Sequence, residues 1–475
     1  MTMSQFRREI KHLKQAAVDK HKITFPADPT EFFKQTLGFT PTSYQAELIS
    51  QFQSSQFVAA RWARQTGKSH TISALLLHYA LTNPNSNIGI VGPSWRQTKL
   101  IIKTINGFLG KLPKGAYKKP QRTAVTLTNG SNIEAYPNNP ETIRGPKLHI
   151  VYADEFAFIP DDEELYDAML FTLGTTNGKF ICTSTPWRTD NLFHKIFYDA
   201  TFEDYAKSHV TYEQALEPNG PLKLQILNRI KKQLEGDPCR WKREMEADWA
   251  ENQNTWLTQA LITQCIDHTL DYVKFEEEAH GTFYAGLDLG KHQDPSVLAI
   301  FRVENQQLRL VHLRRFPLET PYASVIGYVK TISDRWQSII KILVDQSGVG
   351  DYITEDMTNT GIDNIEGVTF TQERKQEMAQ HLKQTITEKR LFIPYDSELI
   401  AELNLEQYEL SKDGKIRLSH PLGTHDDRFW ALGLAAYASR TQPSPRLWVI
   451  SKALKNSSLQ ALRQRLVHRR GGKTQ

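Results

Sequence analysis

Apolar and polar positions alternate between two regimes along the chain. In the first half, short apolar runs bounded by turn residues are followed by longer amphipathic stretches. "QFVAARWA" reads as a buried strand and "SHTISALLLHYAL" as the helix after it. "NIGIVGPS" is the next strand, followed by a helix from Trp95 to about Leu109, a hairpin "AVTLTNGSNIEAY" turning at Asn129-Gly130, and the strands "LHIVYADEF" and "KFICTSTP" with a helix between them. Such alternation predicts a mostly parallel sheet covered on both faces. A helical region from Pro221 to about Ala250 follows.

Beyond the polar, acidic stretch around "YVKFEEEAH" the rhythm changes. "TFYAGLDLG", "SVLAIFRVEN" and "LRLVHLRRF" have short connections and predict an antiparallel meander. A helix near Tyr322 to Trp336, the strand "KILVDQS", a helix from Gln372 to Arg390 and a last helix in "THDDRFWALGLAAYA" complete the pattern. The expected organisation is an N-terminal helical extension over 1–39, an α/β unit over 40–252 ending in a helical subdomain, a linker over 253–280, a second α/β unit over 281–440 and a basic tail over 441–475.

Composition narrows the class. A chain of 475 residues exceeds one ordinary core, and 39% hydrophobic with 23% charged residues describes a folded chain. No apolar run approaches the roughly 20 residues that span a bilayer, and "MTMSQFRREIKHLK" lacks the apolar centre of a secretory signal, so a cytoplasmic protein without membrane contact is expected. Cys182, Cys239 and Cys265 have neither disulfide nor zinc spacing. The net charge of +5 is modest, but Arg96 to Ile133 carries eight Lys or Arg and no acid, and Arg440 to the C-terminus carries nine and no acid. Both stretches suit phosphate backbones, as they also suit solvated basic faces.

The first candidate chemistry is "RWARQTGKSH", which ends like the phosphate loop G-x-x-x-x-G-K-[ST] but has Trp62 where the first glycine belongs. Gly67, Lys68 and Ser69 still meet the physical needs of such a loop: backbone N–H groups at a helix start, a full positive charge and a hydroxyl for magnesium. "IVYADE" puts Asp154 and Glu155 at the end of an apolar strand, where the first acid would hold Mg2+ and the second would polarise a water molecule. Thr183, Ser184 and Thr185 end the next strand, suited to sensing a γ-phosphate.

In these residues the chain resembles the large subunit of the terminase, the DNA-packaging motor of tailed bacteriophages. The family's loop places Arg-Gln before x-G-K-[ST], as "ARQTGKS" does, and this implies that Arg64, Gln65, Thr66, Gly67, Lys68 and Ser69 surround the phosphates of ATP. The resemblance likewise matches Asp154 and Glu155 to the Walker B pair, and Thr183 to Pro186 to the motif that couples hydrolysis to movement. "TPTSYQAELI" resembles the adenine-contacting stretch, implying roles for Tyr44 and Gln45. "ETIRGPKLHIVYADE" resembles the region from which some members reach a neighbour's ATP, which makes Arg144 the candidate arginine finger, against the reading of a plain surface arginine.

A second cluster is acidic. Asp288 stands mid-strand in "YAGLDLG", Asp345 ends "KILVDQS", and Asp426 and Asp427 open the last helix. An acid in an apolar strand is costly unless paired or metal-bound, and two metals about 4 Å apart need several such carboxylates. The order strand, meander, strand and helix resembles the ribonuclease H-like fold of the terminase nuclease. Asp427 is favoured as ligand, Asp426 remains open as ligand or helix cap, and Asp294 is an auxiliary candidate or a turn residue.

The fold class expected is therefore α/β, a P-loop NTPase followed by a ribonuclease H-like nuclease. The resemblance implies ATP and Mg2+, with Mn2+ possible at the nuclease, and as partners double-stranded DNA, a portal protein, the small terminase subunit and further copies in a ring on the procapsid, in the host cytoplasm. A helicase or DNA-repair ATPase fused to a nuclease is the alternative.

Overall fold

The computed structural model describes residues 23–250, 254–290, 294–336, 338–347, 350–410, 416–421 and 424–440. The basic tail expected after residue 440 therefore lies outside the described residues, as does the start of the chain.

The first sheet comprises β1 (Phe57–Trp62), β2 (Asn87–Val91), β3 (Ala124–Thr126), β4 (Asn132–Ala135), β5 (Ile150–Asp154), β6 (Lys179–Ser184) and β7 (Ala206–Val210), in the spatial order β3-β4-β2-β5-β6-β1-β7. All neighbours are parallel except the β3–β4 hairpin. Because β1, β5 and β6 are adjacent and parallel, their C-terminal ends converge, and Asp154 stands in register with Thr183 while Arg61 stands in register with Ser184. β5 is buried at every position, as a strand covered on both faces should be.

The second sheet is mixed. β8 (Thr282–Asp288), β9 (Val297–Glu304) and β10 (Gln307–Arg315) form the expected meander; β11 (Ile339–Asp345) and β12 (Ile365–Val368) add in parallel beyond β8, and β13 (Leu391–Phe392) beyond β10. The α/β class, with a parallel-rich first sheet, is as the sequence predicted.

Several expectations change. Asp288 is not mid-strand but the last residue of β8, next to Asp345 at the end of parallel β11. The chain before residue 40 is no appendage from residue 23 onwards: Phe32 and Phe33 on the helix Pro29–Gln35 are fully buried in one core with Leu75 and Ile102. The helical region expected from Pro221 holds two helices, Leu224–Gln233 and Pro238–Glu244, with Asp237 capping the second through Arg240 N–H at 2.9 Å.

The expected linker does not stand free either. Trp256 is buried with its indole N–H on Ala379 O at 3.1 Å, Ile266 bridges to Ile393, and His268 O accepts from Trp95 N–H at 2.9 Å. One apolar cluster consequently runs from Ala59, Val151 and Cys182 of the first sheet to Tyr284, Ala299 and Phe429 of the second half.

Candidate active sites

The deviant phosphate loop has a plain structural reason. Trp62 is the last residue of β1, fully buried, with its indole N–H on Ser208 Oγ at 2.8 Å, so that position has no turn to make and no need of glycine. The left-handed turns fall later, at Gln65 (φ 62°) and Gly67 (φ 88°), and Gly67 leads directly into the helix Lys68–Thr82. A side chain at Gly67 would also meet the Gln45 amide, which lies 2.7 Å from the place of its Cβ.

Tyr44 and Gln45, expected from the sequence to contact adenine, both lie beside the phosphate loop. Tyr44 is buried edge-on to Trp62, ring centroids 5.1 Å apart, and its hydroxyl donates to Thr66 O at 2.9 Å. Gln45 Oε1 accepts from Thr42 N–H at 3.0 Å in a capping box on the helix Ser43–Ser54. Tyr44 thus ties the loop to the helix Ser43–Ser54.

Lys68, Ser69, Asp154, Glu155, Thr183, Ser184 and Thr185 meet in one network. Ser69 Oγ donates to Asp154 Oδ1 at 3.2 Å, and Thr183 Oγ1 and Tyr152 Oη reach the same oxygen at 3.1 and 2.6 Å. The other oxygen, Asp154 Oδ2, is buried without a hydrogen-bond partner among the described residues. An orphaned carboxylate oxygen beside a serine hydroxyl is the donor set a hard, oxygen-seeking cation requires, so the residues fit Mg2+. Burial first, then the neighbouring Glu155, raises the Asp154 carboxyl above its usual range.

Glu155 is held in the left-handed region (φ 47°), a conformation that costs a non-glycine residue about 1–3 kcal/mol. That backbone turn brings its carboxylate to Lys68 Nζ (3.3 Å), Ser184 Oγ (3.1 Å) and Thr185 N–H (3.4 Å). Burial alone would raise this carboxyl, but Lys68 and Arg64, with the bonds from Thr185 and Ser184, outweigh it and hold the group below the ordinary carboxylate range.

Arg64 points into this network and also into the second half of the chain. Its guanidinium lies 3.6 Å from both Glu244 and Glu398, and Tyr395 packs close by against Phe158. Sequence reasoning missed Glu244, Tyr395 and Glu398, since nothing local to them marks a nucleotide site. Arg144 stands apart: it is exposed and paired with Glu141 (2.5 Å) and Glu164 (3.5 Å) of its own surface.

The acidic cluster forms at the ends of β8 and β11 under the helix Asp427–Ala438. Gly286 makes the approach possible, because a Cβ there would lie 2.3 Å from Ala431 O and 2.4 Å from Ala435 N of that helix. Two residues on, on the same face of β8, stands Asp288. Its carboxyl is pushed well up by burial, then by Asp427, Asp345 and Asp426, with Lys375 acting in the opposite sense. Asp345 is raised by burial while its Oδ1 accepts from Ser347 N–H at 2.9 Å and Ser347 Oγ at 2.5 Å.

Asp426 and Asp427 separate in role. Asp426 sits at the N-cap position without capping; its Oδ2 accepts the Trp430 indole N–H at 2.6 Å. Asp427 Oδ2 is buried with no hydrogen-bond partner among the described residues, and burial, then Glu402, Asp294 and Asp426, push the carboxyl up to about 8. Mutually repelling carboxyls with an orphaned oxygen fit divalent cations.

Asp294 is exposed, with Oδ1 3.1 Å from His425 Nδ1, and His425 lies 3.9 Å from Asp427. Asp294, His425 and Asp427 offer ligand atoms within 4.8 Å of one another. His425 escaped sequence reasoning although it directly precedes the acidic pair. So did Glu406, a fully buried carboxyl that burial and Asp426 push up to about 8. A cavity of about 420 Å³ is lined by Arg64 and Gln65 of the phosphate loop together with Glu402, His425 and Arg428.

Comparison with known proteins bears out the resemblance. The family model "Terminase large subunit, T4likevirus-type, N-terminal" matches residues 62–264. The terminase large subunit of Thermus virus P23-45 is 21% identical over 451 residues, covering 86% of this chain and 89% of the relative. That of Thermus phage G20c matches over the same shares at the same 21% identity. Among solved structures, the large terminase of bacteriophage HK97 covers 86% of this chain and 98% of its own at 13% identity and a TM-score of 0.41. The large terminase nuclease of phage G20c covers 40% of this chain and 100% of its own at 20% identity and a TM-score of 0.34.

Proposed function

We propose that this chain, which resembles terminase large subunits along most of its length, is an ATP-driven DNA-packaging subunit with its own metal-dependent endonuclease. The observation that carries the reading is the presence of two unlike acidic centres, one per sheet: Asp154 and Glu155 tied to Lys68 and Ser69, and Asp288, Asp345 and Asp427 crowded without matching cations.

At the first centre, Gly67 and the start of the helix Lys68–Thr82 cradle the β- and γ-phosphates and Lys68 neutralises their charge. Mg2+, held by Ser69 and Asp154, supplies further charge neutralisation when bound. Glu155, kept ionised by Lys68 and Arg64, orients and polarises the attacking water. Thr183 to Thr185 link both acids to the end of β6, so a change at the γ-phosphate is felt there as a shift of hydrogen-bond partners. Arg144, exposed and paired with the surface residues Glu141 and Glu164, is available to a neighbouring copy's nucleotide in a ring.

At the second centre Asp288, Asp345 and Asp427 hold divalent ions, with Asp294 as an outer ligand and Asp426 positioned by Trp430; Mg2+ or Mn2+ there supplies Lewis acidity for phosphodiester hydrolysis. Carboxylates and metals read phosphates rather than base edges, so cutting has little sequence preference. Lys103, Lys114, Lys118, Lys119 and Arg122 are all exposed, and their charges suit contact with duplex DNA. A portal protein, the small terminase subunit and further copies of this chain complete the motor in the host cytoplasm.

The test separates the two centres. Glu155→Gln should lower ATP turnover about a thousandfold or more while plasmid cutting persists. Asp288→Ala should abolish cutting in Mn2+ and spare ATP turnover. Normal ATPase in the first variant, or normal cutting in the second, removes the corresponding half of the reading.

A further inference from the structure

Lys375 is the side chain that the two centres, as described, leave unexplained. It lies in the first turn of the helix Gln372–Thr387, against Phe370 and Trp430. The segment that delivers it is tied to that cluster from both directions. Phe370 N–H donates to Ser347 Oγ at 2.6 Å, and Ser347 in turn holds Asp345. Trp430, one turn beyond Asp426, donates its indole N–H to Asp426 Oδ2 and presents its ring face to the lysine.

The ammonium lies 4.6 Å from the Trp430 ring centroid and 5.3 Å from that of Phe370. Among the described residues it makes no ion pair, although the acids of the cluster are its neighbours: its field acts on Asp288, Asp345 and Glu406. A lysine needed only to offset the acids would close onto one of them. This one is set aside by two aromatic faces, a site that holds a cation while leaving its N–H donors free. The acids face metal ions, so the donors are available to an anion arriving with them. The anion that must arrive at a phosphodiesterase centre is the phosphate being cut.

We propose that Lys375 is a catalytic residue of the nuclease, donating to a non-bridging oxygen of the scissile phosphate and stabilising the extra negative charge that develops on it. The inference rests on the nuclease reading of this centre. The ammonium gives up no proton in this role. Trp430 and Phe370 are positioning residues, acting through the lysine.

The test uses the full chain with supercoiled plasmid and Mn2+, with ATP turnover as the folding control. Lys375→Gln should lower single-turnover cleavage about a hundredfold, the loss typical of one donor to a developing oxyanion. ATP turnover, thermal unfolding and Mn2+ affinity by calorimetry should stay near wild type. Lys375→Arg should recover part of the rate, because charge and donors return with a different reach. Affinity for duplex DNA in Ca2+ should change by less than the rate, since the contact strengthens as charge develops.

Cleavage by Lys375→Gln at the wild-type rate, with Asp288→Ala inactive, would overturn this inference and leave the nuclease reading intact. Loss of Mn2+ affinity in step with cleavage would overturn it too, by making the lysine a support of the acids. A wild-type protein that does not cut, or an Asp288→Ala that cuts normally, would instead refute the nuclease reading itself.

Discussion

The proposed ATP centre and the proposed nuclease centre are both built from acids at the ends of adjacent strands, and in both a buried acid is raised, Asp154 in the first; they differ in the fate of the acid beside it. At the first, Lys68 and Arg64 overcome burial and hold Glu155 below the carboxylate range. At the second, Lys375 and Arg315 oppose the crowding without overcoming it, and Asp288, Asp345 and Asp427 are all raised. The first is therefore assembled in advance, with internal partners for nearly every group. The second is frustrated until external positive charge arrives. A pre-paired site suits a task in which one carboxylate must stay ionised and aimed; an unpaired one suits a task delegated to bound ions.

That contrast can be broken most forcefully at Gly286. Gly286→Val pushes a side chain into Ala431 O and Ala435 N, and should cost about 1–3 kcal/mol in urea unfolding while displacing Asp427 from Asp288. Metal-dependent cutting should then fail, with ATP turnover changed far less. Equal loss of both activities would mean that the two centres are not separable as described.

A smaller effect sharpens the electrostatic half of the comparison. Asp427 titrates at about 8 when folded and near 4 when unfolded. Between those values the folded chain holds a proton that the unfolded chain has lost, so in EDTA stability should decline as pH rises from about 4 to about 8. Asp427→Asn should flatten part of that decline, and Mn2+ should bind more tightly as pH rises through the same window. Urea midpoints at a series of pH values measure the first, and calorimetry the second. An unchanged slope in the variant would remove Asp427 from the frustrated cluster.

The smallest expected effect concerns pre-assembly. Tyr44→Phe deletes one hydrogen bond to Thr66 O behind the phosphate loop and should cost about 1 kcal/mol of stability. ATP turnover should fall only several-fold, because the ring still packs on Trp62. A total loss would point to direct nucleotide contact by the hydroxyl.

Much of this was legible from periodicity and punctuation. β1, β5 and β6 announced themselves as apolar runs ending in Arg-Gln, Asp-Glu and Thr-Ser-Thr, and parallel neighbours necessarily bring such ends together. The meander and the acids at its flanks were equally visible, although the end of β8 was misjudged because Leu289 continues the apolar run past Asp288. Pro238 starts the second helix of the expected helical region, a boundary that the sequence reading did not place.

What the sequence hid was long-range. Nothing near Glu398 or Tyr395 says that they will reach Arg64, more than 300 residues earlier in the chain. Tyr44 is a different case: a motif placed it beside the loop but could not say that its ring is buried against Trp62. Asp294, shortly before β9, and His425, just before the last helix, meet only through tertiary packing.

The uninterrupted apolar cluster from Ala59 to Phe429 has a mechanical corollary. The two halves are glued rather than tethered, so severing the backbone between them would leave the pieces clinging together. Beyond Thr185, the rings of Trp187, Phe158 and Tyr395 pack in sequence, a contact path from the end of β6 into the second half.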